Sequence, residues 1–508
     1  MQAEILTAVL HGIEAVPVKV EADVSNGLPQ TEIIGLGDTA VKEAAPRIRA
    51  AFRASGFSYP AGRTTLNLSP AWLHKKGSHF DFPMAIGILA AAGLVFDRQL
   101  AGSAFIGELG LDGNIQAVPG VLPMLLALKK KSVKTVWVPV GNKAEADLIE
   151  GVSISPIRSL REAADLLNGR AGDRKTPRPK RMGAPIQAGG GQTFPDFAEI
   201  KGQEEAKRAV MIAVAGGHAL MITGSPGTGK SMIAERLPHI MPSLSKEEML
   251  ELTAIYSAAG FLDQGHPVII QRPFRSPSAS ISVPGMLGSG YPPRPGEITL
   301  AHKGILFLDE FSEIDRRVLE SLRLPMDQKQ IGLVKRGEGF LYPADFMLVI
   351  ASNPCPCGYY GDPRHTCTCT DGELNRFRAK LSGPLNDRID IHFFITDPGY
   401  KNLHGQAMSS QEMRQVILQA RNRQEQRYGT KERHNADLTG SQIDRYCQLD
   451  PAGDKLAEAA YTRLALNPRT MAKVKKVART IADIEGKEKI EVSHLSEALM
   501  YRERAVRR

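Results

Sequence analysis

Short apolar runs with strand-like spacing alternate with helical stretches in the first third of the chain. Glu14–Val20 and Thr135–Val140 are short, valine-rich runs that predict β-strands. Ala40–Ala54 and Phe82–Leu94 are longer runs whose patterns predict helices. Residues 1–168 are therefore expected to form a self-contained α/β domain.

The apolar periodicity stops between residues 169 and 192, where proline, glycine, lysine and arginine dominate. This composition predicts a basic, flexible linker. A solubilising tether and an arm for nucleic acid both fit it, and the tether is the simpler interpretation. From 193 to 400 strand and helix patterns alternate again, whereas helical spacing dominates 401–508. The chain thus predicts a second α/β domain, followed by a helical lid.

One segment of the second α/β domain matches the phosphate-binding loop GxxxxGK[ST] in full. It lies between the apolar run Ala219–Ile222 and a helix expected to open at Met232, which is the context that the motif needs. Backbone N–H groups of such a loop wrap phosphates, its lysine contacts the β- and γ-phosphates, and its serine hydroxyl binds Mg²⁺. The motif predicts a site for ATP and Mg²⁺ made by Gly224, Ser225, Pro226, Gly227, Thr228, Gly229, Lys230 and Ser231.

A second nucleotide motif follows the phosphate loop along the chain. Gly304–Leu308 has the continuous apolar pattern of a buried parallel strand, and it ends in Asp309 and Glu310. Asp309 is expected to hold the hydrated Mg²⁺, and Glu310 to polarise the attacking water. In isolation such a pair is as often a helix cap as a catalyst. Together with a complete phosphate loop, it favours ATP hydrolysis over a kinase or a simple nucleotide binder.

Four of the five cysteines lie on one segment with the spacing CxC–x9–CxC, namely Cys355, Cys357, Cys367 and Cys369. Four soft ligands so close together favour a structural Zn²⁺. The spacing is tighter than the usual CxxC knuckle, His365 could replace one thiolate, and free thiols are the alternative. A metal on this segment would rigidify the region just after Asn353. Cys447 stands alone on a helical segment and is expected in the core.

Together, these motifs resemble those of AAA+ ATPases, and within them the magnesium-chelatase-like branch that contains the ComM/YifB family. The resemblance also rests on Arg272–Arg275, Pro295–Ile298, Ala351–Gly358 and Leu385–Asp390, and it covers nearly the whole chain. It implies an AAA+ P-loop core with a parallel sheet, a C-terminal helical lid and a homohexameric ring. It also implies an ATP-dependent DNA motor, a helicase that promotes branch migration in homologous recombination during natural transformation.

The resemblance assigns roles to three further residues. Asn353 follows an apolar strand and looks like the polar sensor that orients water near the γ-phosphate. Arg388 looks like the arginine finger that enters a neighbouring subunit's site, and Arg469 looks like the second sensor at the start of a lid helix. A strand-end asparagine that caps a turn and an ordinary surface arginine are the alternatives for the first two.

Gln330–Phe340 has the pattern of a β-hairpin whose tip carries Lys335 and Arg336. It is similar to the pre-sensor hairpin of the same branch, and in related ring helicases such hairpins grip the phosphate backbone. An exposed charged hairpin without a ligand is the alternative. The expected partner is therefore DNA, either branched or single-stranded.

Residues 1–168 resemble the N-terminal domain of the same family, which has the Lon-protease fold. Lon-type catalysis needs a serine on the helix after an Asp-x-Pro turn and a lysine after a later glycine pair. Here that helix begins Phe82-Pro83-Met84-Ala85, Val121 follows Gly120, and Ser78 has no evident base. We therefore expect a scaffold that forms the ring or guides DNA, without proteolysis.

Composition limits the function classes without choosing among them. The 508 residues are 42% hydrophobic and 23% charged, which excludes disordered and fibrous proteins. The net charge of +9 allows a polyanionic partner without demanding one. The longest apolar stretch, Phe82–Phe96, is interrupted by proline and glycine and is shorter than the roughly 20 residues of a membrane span. No membrane association is expected, and the absence of a basic leader predicts the cytoplasm.

A second function stays open at this stage. The ATPase core is shared with chelatase-type ATPases, which remodel a protein partner for metal insertion. The fused Lon-like N-terminal domain argues against that function. DNA-stimulated hydrolysis that weakens with salt would separate the two.

Overall fold

The computed structural model describes residues 2–96, 100–170, 195–262, 267–381, 385–399 and 407–502. Most of the expected linker, 169–192, lies outside the described residues, as do 503–508 of the expected lid. The described parts combine two parallel or mixed sheets with a helical C-terminal region. The α/β class predicted from the sequence is confirmed.

The first part of the chain, through residue 167, is a mixed sheet with helices packed on it. Its strands are β1 (Gln2–His11), β2 (Glu14–Ser25), β3 (Gln30–Ile34), β4 (Arg63–Ser69), β5 (Ser103–Phe105), β6 (Glu108–Leu109), β7 (Ile115–Gln116), β8 (Thr135–Pro139) and β9 (Ser153–Ile157). Its helices are α1 (Thr39–Lys42), α2 (Ala44–Ala54), α3 (Asp81–Ala91), α4 (Val121–Lys129), α5 (Lys143–Ala146) and α6 (Leu160–Leu167).

Seven of these strands form one sheet in the order β3-β4-β2-β1-β5-β8-β9. β1 and β2 pair antiparallel along their length, whereas β5, β8 and β9 run parallel. Helix α3 packs on β1 and β2 and is buried along its whole length, which explains its continuous apolar sequence. It ends at Ala91, three residues earlier than its pattern predicted, and Leu94 is exposed.

The central part of the chain contributes a second sheet and the helices around it. Its strands are β10 (Leu220–Gly224), β11 (Phe274–Arg275), β12 (Gly288–Gly290), β13 (Pro293–Pro295), β14 (Ile305–Leu308), β15 (Gln330–Lys335), β16 (Glu338–Pro343), β17 (Met347–Ser352) and β18 (Ile391–Ile395). Its helices are α7 (Glu204–Gly216), α8 (Lys230–Ile240), α9 (Lys246–Ala259), α10 (Val283–Leu287), α11 (Glu297–Leu300), α12 (Arg316–Ser321), α13 (Arg323–Gln328) and α14 (Asp371–Leu381).

Five of these strands form a parallel sheet in the order β11-β14-β17-β10-β18. All four residues of β14 are buried, as its apolar run predicted, and each side chain contributes roughly 1.5–3 kcal/mol by leaving water. Because the carboxyl ends of parallel strands meet at one edge, the loops after β14, β17 and β10 lie side by side. This edge of the sheet positions the candidate site.

The C-terminal part is helical throughout its described residues. It comprises α15 (Ser410–Tyr428), α16 (Ser441–Tyr446), α17 (Pro451–Arg463), α18 (Pro468–Ile484) and α19 (Val492–Met500). Helices α15 and α18 pack on α7, and the ring of the buried His218 bridges the two parts, contacting Asp390 at 3.0 Å and Thr480 at 2.8 Å. The longest described helix, α15, is largely polar, and no described helix is both long and apolar enough to cross a bilayer.

The contacts between the described residues of the N-terminal and central parts include two that bear on the site. The carboxylate of Glu145 accepts a hydrogen bond from the backbone N–H of Leu122 at 2.8 Å and another from the hydroxyl of Ser257 on α9. Burial raises the pKa of Glu145. The second contact is a stack of His11 on Phe340, with ring centroids 4.5 Å apart. The hairpin formed by β15 and β16 is therefore braced from the N-terminal part.

Candidate nucleotide-binding site

The phosphate loop connects β10 to α8 at the carboxyl edge of the parallel sheet. Helix α8 begins at Lys230, two residues before the predicted start, and Gly229 just before it has φ +90°, a conformation that favours glycine. The Lys230 ammonium donates to the backbone oxygens of Gly224 at 2.8 Å and Ser225 at 3.1 Å. The amino-terminal N–H groups of α8 therefore open onto a loop that already carries a lysine, which is an arrangement suited to phosphate.

Side chains from three neighbouring loops meet in one network at this edge. The Ser231 hydroxyl donates to Asp309 at 3.0 Å, and the Lys230 ammonium donates to the Asn353 side-chain oxygen at 3.2 Å. Burial lowers the pKa of Lys230. The structure thus brings together the residues that the sequence placed on the phosphate loop, after β14 and after β17. A hydroxyl beside a carboxylate is a donor set that suits Mg²⁺.

Glu310 lies at the end of β14 with its side chain exposed to solvent. Its backbone has φ +47°, which costs roughly 1–3 kcal/mol in a residue other than glycine. Its N–H donates to the Asp309 carboxylate at 2.9 Å, which stabilises the turn. Glu310 thus directly follows Asp309 at the carboxyl edge of the sheet, and its role as the water-polarising group stays a prediction.

Arg388 and Arg469 lie at the opposite edge of the sheet. Arg388 precedes β18, which pairs in parallel with β10 from Leu220↔Ile391 to Gly224↔Ile395. The phosphate loop extends from the far end of that pair, about 13 Å away at the usual strand rise. Arg388 donates to Asp327 at 2.9 Å, and Arg469 contacts Asp387 at 3.4 Å. The structure does not bring these two arginines to the chain's own phosphate loop.

The hairpin forms as the sequence predicted. Its strands β15 and β16 pair from Gln330↔Pro343 to Lys335↔Glu338, so Arg336 and Gly337 form the two-residue tip. Lys335 and Arg336 are exposed, and the Arg336 guanidinium lies 4.5 Å from the ring centre of Tyr291. This cation–π contact orders one of the two tip cations. Tyr291 carried no signal in the sequence that would have linked it to the hairpin.

The four cysteines of the CxC–x9–CxC segment form one cluster. Their sulfur atoms all lie within 4.8 Å of one another, and those of Cys355 and Cys367 are 3.8 Å apart. Tetrahedral zinc with bonds of about 2.3 Å requires sulfurs about 3.8 Å apart, so the donor set and its spacing fit this metal. His365, the alternative ligand, instead stacks on Tyr359 with ring centroids 4.7 Å apart. Cys447 is buried in the core, as predicted.

The cysteine loop, residues 355–369, also touches the phosphate loop. An interaction with the Ser225 side chain, together with hydrogen bonds from the backbone N–H groups of Arg364 and His365, lowers the pKa of Asp362 to about 2. Gly358 has φ +87°, and a Cβ there would lie 2.8 Å from Pro226. Sequence reasoning missed Asp362 and Gly358, because their partners lie far away along the chain. The cysteine spacing gave the only local signal in this loop.

The N-terminal part does not assemble a Lon-type pair from its described residues. The Ser78 hydroxyl donates to the Glu108 carboxylate, and no lysine of the described residues is hydrogen-bonded to it. Lys75 is fully buried, and its ammonium donates to the backbone oxygen of Pro70 instead. A serine nucleophile needs a base as its partner, and the scaffold role of this part stays a prediction.

Three family models match the chain one after another. "Subunit ChlI of Mg-chelatase" covers residues 20–142, "Magnesium chelatase, subunit ChlI" covers 196–403, and "Magnesium chelatase, subunit ChlI C-terminal" covers 407–502. The middle model includes the network of Lys230, Asp309 and Asn353. The matches therefore run along most of the chain.

Several relatives are similar over nearly their full length. YifB of Escherichia coli is 38% identical over 494 residues, which are 97% of this chain and 95% of that protein. The competence protein ComM of Haemophilus influenzae is 37% identical over 496 residues, which are 97% of this chain and 95% of that protein. The DNA replication licensing factor Mcm6 of Drosophila melanogaster is 23% identical over 221 residues, 40% of this chain and 22% of that protein.

Proposed function

The chain belongs to the ComM/YifB family of magnesium-chelatase-like AAA+ ATPases, and from this premise we propose that it is an ATP-driven motor that moves on DNA. The family implies ATP hydrolysis with Mg²⁺. We propose further that the motor is a homohexameric helicase that promotes branch migration in homologous recombination during natural transformation. The similarity to a competence protein supports the proposed role in natural transformation.

The proposed hydrolysis follows from the network at the carboxyl edge of the sheet. Mg²⁺, held by Ser231 and Asp309, would supply positive charge at the phosphates. Lys230 exchanges its acceptors in the loop for the β- and γ-phosphates, and so binds ATP. Glu310 polarises the attacking water and Asn353 orients it. Each role is assigned to a residue whose position agrees with it.

The position of Arg388 supports a ring. Arg388, at the amino edge of the sheet, is remote from its own phosphate loop, so an arginine finger at this position would act in the site of a neighbouring subunit. A heterologous contact of this kind closes into a ring when it repeats. Arg469, next to Asp387 on the same edge, is proposed to enter that same neighbouring site. The two arginines would stabilise charge on the γ-phosphoryl group.

The single observation that supports DNA as the polymer on which the motor moves is the exposed, positively charged hairpin formed by β15 and β16. Arg336 is exposed at the two-residue tip and Lys335 beside it, and along the chain the hairpin lies between β14 and β17, which are followed by Glu310 and Asn353. The proposed coupling is that a change at the nucleotide moves the tip. Cations without base-reading groups suit the phosphate backbone, since backbone contacts carry no sequence information.

The remaining parts of the chain are proposed to support this motor. We assign residues 1–168 as a non-proteolytic scaffold with a Lon-like fold, 169–192 as a linker, 193–400 as the ATPase core and 401–508 as the lid. We also assign a structural Zn²⁺ to Cys355, Cys357, Cys367 and Cys369, on the sulfur spacing described above. The cytoplasm is the proposed compartment, because thiolate ligands stay reduced there.

A chelatase-type ATPase is the second candidate, favoured by the names of the matched family models. Such an enzyme would remodel a protein partner for metal insertion. Its hydrolysis would not respond to DNA, whereas the hydrolysis of a DNA motor would.

One experiment separates the two candidates. ATP hydrolysis by the full chain is measured with and without a four-way DNA junction at two salt concentrations, with Lys230→Ala as the blank. A DNA motor is stimulated by the junction, and the stimulation falls at high salt as phosphate contacts are screened. A rate that no DNA changes would overturn the motor and favour the protein-remodelling ATPase.

A further inference from the structure

We propose that metal occupancy of the four-cysteine cluster controls ATP binding, because the loop that these cysteines fold also holds the phosphate loop in place. The inference rests on the proposed ATPase function and on metal binding by the cluster. It goes beyond both, since it makes the nucleotide affinity depend on a metal that touches no nucleotide.

The first contact between the two loops is a close approach of the Gly358 backbone to the Pro226 ring. Gly358 lies between the two pairs of cysteines, and a Cβ at this position would come within 2.8 Å of the Pro226 ring. Real Cβ atoms essentially never lie so close, so only glycine allows this fit. Pro226 is itself part of the phosphate loop. The cysteine loop is therefore seated directly on the phosphate loop.

The second contact is polar. The Asp362 carboxylate interacts with the Ser225 side chain on the phosphate loop, and this interaction lowers the pKa of Asp362. The backbone N–H groups of Arg364 at 2.8 Å and His365 at 3.1 Å donate to the same carboxylate and orient it. Ser225 also supplies one of the backbone oxygens that hold the Lys230 ammonium. Asp362 is thus a positioning residue that acts through Ser225.

The cysteine cluster determines whether Asp362 can reach that position. Cys355 and Cys357 precede Asp362, and Cys367 and Cys369 follow it, so the cluster closes the loop at its base. The described part of the loop has no helix or strand. Within it, Arg364 pairs with Asp397 at 2.9 Å, which tethers the loop to the end of β18. Because the loop has no helix or strand to order its backbone, four metal bonds at its base would supply that order.

The upstream end of the loop points to the same coupling. Asn353, which contacts Lys230, is followed directly by Pro354 and the fully buried Cys355. The loop therefore borders the site on two sides, at Asn353 and at Ser225. If the cysteine cluster at the base of the loop opens, Asn353 and Ser225, which both contact Lys230, are no longer held in position.

The test uses the full chain and measures metal and nucleotide separately. Zinc is determined by elemental analysis, and ATP affinity by titration with a fluorescent ATP analogue. The same preparation is then stripped with a thiol-displacing reagent and a chelator, re-reduced, and reloaded with zinc chloride. We expect about one zinc per chain, as in closed Cys₄ sites. Stripping should weaken ATP binding about 10- to 100-fold, the loss expected for one hydrogen bond to a charged group, and reloading should restore it.

Two variants show whether Asp362 carries the effect. Asp362→Ala should keep zinc and yet weaken ATP binding about tenfold, comparable to the loss of one polar contact to a charged group. In a Ser225→Ala background the same substitution should have little further effect, because the two residues act through one contact. An undiminished effect of Asp362→Ala in that background would overturn the role of the contact. Cys447→Ser, which removes the lone buried cysteine, is the matched control and should change neither zinc nor ATP affinity.

The outcomes distinguish this inference from the functions on which it rests. Zinc-loaded chain that binds ATP equally well after stripping would overturn the coupling and leave the ATPase intact. Chain that contains no zinc, accepts none and still binds ATP would overturn the metal site and the coupling together. Zinc-loaded chain that binds no ATP would instead overturn the proposed function. Thermal unfolding of each variant separates lost binding from lost folding.

Discussion

The charged side chains at the two edges of the five-stranded sheet have different kinds of partners. At the carboxyl edge, Lys230 contacts oxygens from its own loop and from the loop after β17, and most of its contacts are half-buried. At the amino edge, Arg388 and Arg469 pair with Asp327 and Asp387, carboxylates whose side chains are 52% and 55% exposed. Surface ion pairs of this kind contribute only about 0–1 kcal/mol. This range applies to Arg469, whose side chain is exposed like that of Asp387, whereas Arg388 is largely buried and donates to Asp327 through two guanidinium N–H groups. The carboxyl edge is therefore preorganised around the phosphate loop, whereas the arginines of the other edge pair with carboxylates near the surface.

The largest expected effect follows from breaking the preorganised edge. Lys230→Ala removes the ammonium that would bind two phosphates, and two hydrogen bonds to charged groups at roughly 1.5–3 kcal/mol each correspond to a loss of affinity of about 10²- to 10⁴-fold. We expect no measurable hydrolysis. Equilibrium binding of a fluorescent ATP analogue measures the change, and Lys335→Ala is the matched lysine control, which should bind ATP normally. Unchanged affinity in Lys230→Ala would contradict the assignment of this loop.

The second-largest effect is expected at the amino edge of the sheet, where Arg388 lies. Arg388→Ala should lower the rate of hydrolysis by about 10³-fold or more, as loss of an arginine finger does, while ATP affinity stays near that of the wild type. The reason is that Arg388 would stabilise the transition state in a neighbour and touch no ground-state phosphate of its own chain. Single-turnover hydrolysis and equilibrium ATP binding measure the two quantities.

Mixing two inactive variants makes this prediction sharper. Chains with Lys230→Ala keep Arg388, and chains with Arg388→Ala keep a complete phosphate loop. In rings assembled from equal amounts, about one site in four combines an intact loop with an intact arginine of its neighbour, if the subunits associate head to tail at random. We therefore expect a partial recovery of hydrolysis. No recovery in rings shown to be mixed would mean that Arg388 serves its own site.

A smaller effect is expected for the group that polarises water. Glu310→Gln should bind ATP with unchanged affinity and hydrolyse it about 10²- to 10⁴-fold more slowly, the usual contribution of a general base. Because the Glu310 side chain is exposed, we do not expect its substitution to unfold the protein, so unfolding would not explain slow hydrolysis. Single-turnover hydrolysis measures the rate, and size measurement in ATP shows whether the ring is trapped. Wild-type hydrolysis by this variant would exclude Glu310 as that group.

The contrast between the edges also shows what could be predicted from the sequence. Local patterns were sufficient for β14, for the phosphate loop and for the hairpin, because strand alternation and turn residues act over a few positions. Parallel pairing then places residues after neighbouring strands at one edge, which explains why Lys230, Asp309 and Asn353 meet as their motifs implied. For these residues, short-range pattern and sheet topology together determine the geometry.

Other contacts could not be predicted, because they depend on packing between distant segments. Asp327 carries no pattern that links it to Arg388, and Asp362 none that links it to Ser225. His365 had the right chemistry for a metal ligand, yet it stacks on Tyr359. The ring also contacts Asp362 at 3.4 Å, and among the described residues the cluster of possible metal ligands contains the four cysteines without His365. Such outcomes depend on rotamers and neighbours that a single sequence does not display.

The smallest effect is expected at the hairpin and concerns DNA alone. Lys335→Ala should leave basal hydrolysis unchanged and lower DNA affinity severalfold, and it should reduce the slope of log affinity against log salt by about one, as expected for one lost phosphate contact. Arg336→Ala should do the same and in addition loosen the tip, because Arg336 is ordered on Tyr291. Lys455→Ala, an exposed lysine on α17, is the matched control and should keep the wild-type slope. Equal slopes for the wild type and the three variants would show that the hairpin does not contact DNA. That result would not affect the assignment of the ATP site.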